Sequence, residues 1–103
     1  MKAAKRKRLE AAGWHVGTSA DFLELSDAEQ SYIDMKLALG DALKATRATR
    51  RLSQTDVAAL VASSQSRVAK MEAADASVSL DLLVRTLLTL GVPRRRVARM
   101  LGG

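Results

Sequence analysis

The sequence predicts an all-α fold, and three observations carry that expectation. Apolar residues recur three and four positions apart through most of residues 26–103. A serine stands just before each of several such runs (Ser26, Ser53, Ser63 or Ser64, and Ser79), where a side-chain oxygen can cap the unpaired amides of a helix start. No stretch alternates apolar and polar residues long enough to build a sheet. A length of 103 residues favours one domain. Residues 1–25 read as a basic tail and N-terminal extension, and residues 26–103 as a unit of five helices.

The elements follow in order. Residues 1–8, MKAAKRKR, read as a loose basic tail that either touches phosphates or aids solubility. It has the charge of a signal peptide's start, but no apolar segment follows it, so no signal peptide is expected. GWHVG then reads as a short extended piece, with Trp14 and Val16 on one side and His15 on the other, and Trp14 anchors the extension to the core. SADFLEL reads as a helical turn or loop offering Phe22, Leu23 and Leu25 for burial. Ser26 opens the clearest long helix through a capping box with Glu29. Tyr32, Met35, Leu39, Ala42 and Leu43 form its stripe, widened by Ile33 and Leu37. Gly40 weakens this helix slightly and either permits close packing or is merely tolerated. The basic run KATRATRR ends it, where the helix dipole favours cations.

LSQTDVAALV follows, with Ser53 and Asp56 spaced as a capping box and Val57, Leu60 and Val61 as the apolar stripe. In ASSQSRVAKMEA, Val68 and Met71 face inward at i and i+3. LDLLVRTLLTL is leucine-rich enough to be central to the core, and Gly91 ends it. Pro93 suits the first position of a last helix, in which Val97, Met100 and Leu101 pack inward or meet a second copy.

Composition excludes several functions. With 48% apolar residues the chain is globular, and with only 3% aromatic residues its core must be aliphatic. The absence of cysteine excludes disulfides, zinc fingers and thiol catalysis. His15 alone leaves little for a metal site, and no cofactor is expected. There is no nucleophile–base pair, no metal-ligand cluster and no Gly-rich phosphate loop, so the chain does not read as an enzyme. No apolar run approaches ~18 residues, so no membrane span is expected and a cytoplasmic location is. The net charge of +6 is unevenly spread. Residues 10–41 carry Glu10, Asp21, Glu24, Asp27, Glu29, Asp34 and Asp41 against Lys36 alone. Residues 44–72 carry Lys44, Arg47, Arg50, Arg51, Arg67 and Lys70 against Asp56 and Glu72. Such separation predicts two surfaces for two kinds of partner.

The basic half holds two short capped helices, 53–61 and 64–73, joined by a tight turn. The first has an apolar inner face, and the second shows polar side chains at its start. That is the layout of a helix-turn-helix, whose second helix enters the major groove of double-stranded DNA with its N-terminus leading. Ser64, Gln65, Ser66, Arg67 and Lys70 are the candidate DNA-binding residues of this helix. An amide such as that of Gln65 pairs bidentately with adenine, the Ser66 hydroxyl suits almost any base, and Arg67 and Lys70 reach guanine or phosphate. Gln54 at the start of the first helix is placed to touch the backbone, and Arg51 and Thr55 are candidate phosphate contacts.

L-S-Q-T-D-V-A-x-x-V followed by S-Q-S-R-V-A-K-M-E resembles the Xre family of lambda-repressor-like helix-turn-helix proteins, over roughly residues 37–92. The resemblance implies a five-helix DNA-binding domain working as a homodimer on a palindromic operator. It assigns Gln54 to a phosphate, Gln65 and Ser66 to base reading, and Lys70 to the groove. It also implies an internal salt bridge between Arg47 and Glu72. The family often has glycine where this chain has Arg51, Ala62 and Ala74, so these turns are either strained or differently wound. The favoured function is a sequence-specific regulator. The alternative is a HigA-type antitoxin that binds a basic RelE-like toxin through the acidic stretch 10–41, with Trp14 and Phe22, and represses its own operon. A protein-interaction module with a degenerate DNA motif would show no salt-dependent DNA binding.

Overall fold

The computed structural model describes residues 3–14 and 26–102. Among them lie six α-helices and no strand: α1 (Ala3–Ala11), α2 (Asp27–Thr49), α3 (Gln54–Leu60), α4 (Gln65–Glu72), α5 (Leu80–Thr89) and α6 (Arg94–Gly102). The last five are the helices expected of residues 26–103. The GWHVG piece beyond Trp14 and the SADFLEL segment, with His15, Val16, Phe22, Leu23 and Leu25, lie outside the described residues.

Helix starts follow the serine signals. The hydroxyls of Ser26, Ser53, Ser64 and Ser79 accept from the backbone N–H groups of Glu29, Asp56, Arg67 and Leu82, each three residues on. Asp56 completes a capping box by accepting from the Ser53 N–H at 2.8 Å. That backbone bond, with the hydroxyl bond second, holds the Asp56 carboxyl below its ordinary range. Gly91, at φ 88°, takes the left-handed position after α5. Pro93 stands one position earlier than expected, just ahead of α6, where its carbonyl accepts from Arg96 and Val97.

The 23-residue α2 is the axis of the domain, with α4, α5 and α6 packed on it and α3 packed on α4. Leu39, Leu43, Val57, Val68, Met71, Leu83 and Leu87 are fully enclosed in the main core. Each such side chain contributes about 1.5–3 kcal/mol through burial. Leu60 departs from expectation: it is 58% exposed, and Ala58 takes the inward position instead. A seven-residue helix buries only a narrow face, here Val57 and Ala58, so a three-residue apolar stripe overstates it. At Gly40, α2 passes close to the backbone at the end of α4. A Cβ there would lie 2.9 Å from the Met71 carbonyl oxygen and 3.0 Å from that of Glu72. Close packing, not tolerance, is therefore what Gly40 provides.

The loose tail is corrected. Residues from Ala3 to Ala11 are helical, Ala12 is buried, and Leu9 joins Ile33, Leu37 and Ala74 in a second cluster, against which Trp14 packs. A nine-residue helix is marginal alone. Docking stabilises it: Lys5 pairs with Asp34, Arg8 pairs with Asp41, and Ala12 O accepts from the Ala76 N–H at 2.8 Å. Trp14 donates its indole N–H to Ala74 O at 3.2 Å, in keeping with its role as an anchor. Beneath it lies Lys36, almost fully buried, whose ammonium donates to Asp75 O at 3.1 Å and sits 4.8 Å from the Trp14 ring centre. Burial pulls the Lys36 ammonium below its ordinary range, and the Asp75 charge opposes that shift.

Candidate nucleic-acid interface

Among the described residues, three non-glycine residues take left-handed backbone: Arg51 (φ 54°), Ala62 (φ 54°) and Ala74 (φ 53°). They are the positions of the missing glycines. The turns are thus wound in the left-handed form and carry strain of roughly 1 kcal/mol each. Two of them bracket α3, and the third follows α4. Ala62 lies in the α3–α4 turn itself, and the close Gly40 contact lies at the far end of α4.

A polar chain braces the same helix. Arg47 of α2 meets Glu72 at the end of α4 through two bonds, Nε to Oε2 at 2.6 Å and Nη2 to Oε1 at 3.1 Å. The pair expected from the resemblance is thus formed, with the Glu72 side chain only 5% exposed. Hydrogen bonding to Glu72 raises the Arg47 guanidinium above its ordinary value, against desolvation. The remaining Arg47 nitrogen donates to Leu52 O at 3.1 Å and ties down the α2–α3 turn. Gln54 Nε2 donates to Glu72 Oε1 at 3.2 Å, and Gln65 Nε2 donates to Gln54 Oε1 at 2.6 Å. The chain therefore runs from α2 through the end of α4 and the start of α3 to the first residue of α4. Gln54 is half-buried within it. The Gln65 amide nitrogen carries two hydrogens, so one bond to Gln54 leaves the other hydrogen and Oε1 facing outward.

Val68 and Met71 form the buried back of α4, while Gln65, Ser66, Arg67 and Lys70 are exposed in front. The front has two sides. Gln65 leans on Gln54. Ser64, Ser66, Arg67 and Lys70 line a groove whose other wall is Ser77, Val78 and Leu82. Ser64 sits at the groove's edge with its hydroxyl engaged by the Arg67 N–H at 3.1 Å, so capping is its first task. Arg51 and Thr55 are exposed beside Gln54, at the α2–α3 turn and the first turn of α3. Among the described residues, Arg51, Arg67 and Lys70 form no salt bridge or side-chain hydrogen bond.

Sequence reasoning missed the far wall of this groove. The loop is shaped by Asp75, whose Oδ1 accepts from the Ser77 hydroxyl at 2.7 Å and the Ser77 N–H at 2.9 Å. Those bonds, the hydroxyl's first, hold the Asp75 carboxyl below its ordinary range. The Asp-x-Ser spacing was the available signal. Among the described residues, no group of three or more His, Cys, Asp or Glu side chains is arranged to hold a metal ion. Nor is any described helix long and apolar enough to cross a membrane.

A family model of the helix-turn-helix domain matches residues 38–100, more than half of the 103-residue chain. No curated protein and no solved structure matches. The matched span runs from within α2 to within α6 and contains the two capped helices, the turn between them and the polar face of α4. DNA is the partner to which such a domain presents that face. The chain belongs to the helix-turn-helix domain family.

Proposed function

We propose that the protein is a sequence-specific transcriptional regulator of the Xre type, which binds the major groove of an operator through α4 as a homodimer. One observation carries this reading: the front of α4 presents an amide, a hydroxyl and two cations to solvent, while its back is sealed by Val68 and Met71. Gln65, steadied by Gln54, reads adenine through its free amide edge. Ser66 adapts to a neighbouring base. Arg67 and Lys70 reach guanine or phosphate, and Arg51, Gln54 and Thr55 face the backbone. Two such domains on a two-fold axis would place their α4 helices about one helical turn apart on a palindrome. Bound there, the protein acts by occluding or recruiting other proteins.

The antitoxin reading draws less support. It requires a free acidic surface, yet Asp34 and Asp41 face Lys5 and Arg8 of the same chain, and Trp14 is packed inward.

Selection from random duplex DNA tests the proposal, with salt titration on the enriched site. A palindromic winner with affinity falling steeply in salt is the expected result. Gln65→Ala should cost about 1–3 kcal/mol on that site and relax preference at one base pair. An unaltered preference would remove Gln65 as a base reader, and no enrichment at all would overturn the regulator reading.

A further inference from the structure

We infer that the arginines of α6 form a second track for the phosphate backbone, holding the duplex beyond the bases that α4 reads. The inference rests on the DNA-binding reading above and extends it. Val97 is the buried anchor of α6, with Met100 and Leu101 half-buried beside it. Arg94, Arg95, Arg96 and Arg99 are exposed, and among the described residues none has a salt bridge or side-chain hydrogen bond. Four like charges on a nine-residue helix repel one another, a cost relieved when a polyanion lies against them.

The location identifies the polyanion. Arg96 lines a groove with Thr46, Thr49 and Arg50, at the end of α2 that turns into α3. Arg50 is fastened there by donating to Leu90 O, so the α5–α6 corner is tied to the α2–α3 turn. Arg51 follows at once, exposed, and Gln54 and Thr55 open α3. Cations thus continue from the proposed phosphate contacts onto α6. A backbone held at Arg51 has this surface as its continuation, and guanidinium groups suit phosphate geometry.

A second copy of the chain fits poorly. Two α6 faces would set arginine against arginine, and the carboxylates needed to complement them are largely engaged. Asp34, Asp41, Glu72 and Asp81 are in ion pairs, and Asp56 and Asp75 are in hydrogen bonds.

The test uses the full chain and a mixed-sequence duplex, with affinity measured across a salt series for wild type, R95Q/R99Q and R94Q/R96Q. Circular dichroism verifies that each variant folds, as substitution of exposed side chains should allow. The slope of log affinity against log salt should become shallower by about 0.9 for each arginine that neutralises a phosphate. The sequence enriched from random DNA should stay the same, because Gln65 and Ser66 are untouched. Slopes equal to wild type in both variants would overturn the inference while leaving the α4 reading intact. A wild-type chain that shows no salt-dependent binding would overturn both. A polyglutamate arm separates the remaining occupant: variants that lose polyglutamate but keep the wild-type DNA slope would assign the ridge to an acidic protein.

Discussion

The two basic runs of the sequence, KAAKRKR at one end and RRRVAR at the other, look alike on paper and meet opposite fates. In the first, Lys5 and Arg8 lie against Asp34 and Asp41, and α1 covers part of the acidic side of α2. In the second, Arg94, Arg95, Arg96 and Arg99 face solvent and, like Arg67 and Lys70 on α4, form no salt bridge among the described residues. Composition is similar, and the difference lies in what the fold sets opposite. A cation whose partner is built in serves the fold, and one left without a partner remains available to an external anion. The acidic first part and basic middle of the sequence suggested two surfaces for two partners. Packing sets two carboxylates of the first, Asp34 and Asp41, against cations of the same chain while leaving them exposed.

The strongest way to break this contrast is to exchange the roles of neighbouring cations. Arg47 is bonded to nearly buried Glu72, whereas Lys70, on the same helix as Glu72, has no salt bridge among the described residues. Arg47→Ala leaves Glu72 enclosed without its partner and frees Leu52 O, so it should cost about 3 kcal/mol in denaturant unfolding. Lys70→Ala should stay within about 0.5 kcal/mol of wild type and lower DNA affinity. Equal stability losses in the two variants would show that burial does not sort these cations.

That pair also shows what could be read from sequence. The helix order, the serine caps and the buried positions Val68 and Met71 were legible because each depends on residues within one or two turns. The Arg47–Glu72 pair spans 25 positions, and only a resemblance to a known family pointed to it. Lys36 was not legible as a buried residue. Its burial depends on Trp14 and Asp75, which reach it from distant parts of the chain, beside Tyr32 one turn back on α2. The helical nature of α1 was missed for the same reason. Its strong local signal was charge, and the residue that decides the outcome, Leu9, is a single leucine with no periodic partner in its own segment.

Smaller effects should follow at the left-handed turns, where two alanines of the same backbone conformation differ in surroundings. Ala62 is exposed at φ 54°, so Ala62→Gly relieves strain and loses no contact. It should stabilise the domain by up to about 1 kcal/mol. Ala74 is fully buried in the cluster with Leu9 and Ile33, so Ala74→Gly trades the same relief against a lost buried methyl. Its net change should be smaller than that of Ala62→Gly, and thermal unfolding of the two variants compares them directly. A larger gain at Ala74 would mean that the Leu9 cluster contributes little at that position.

The smallest expected effect bears on the α1 flank itself. Arg8 and Asp41 keep 41% and 58% of their side-chain surface, so water screens much of their attraction. A double-mutant cycle on Arg8→Ala and Asp41→Ala should return about 0.2–1 kcal/mol at low salt and almost nothing near 1 M salt. Leu9, with no exposed surface, should then keep α1 docked, since apolar burial is not screened. Trp14 is the only tryptophan, so its fluorescence reports the docking directly. Emission unchanged by salt would show that the ion pairs orient α1 while Leu9 and Trp14 hold it. Emission that shifts toward that of solvated indole would show the reverse. Asp34 and Asp41 would then be freed by salt, and the two basic ends of the chain would differ in degree rather than in kind.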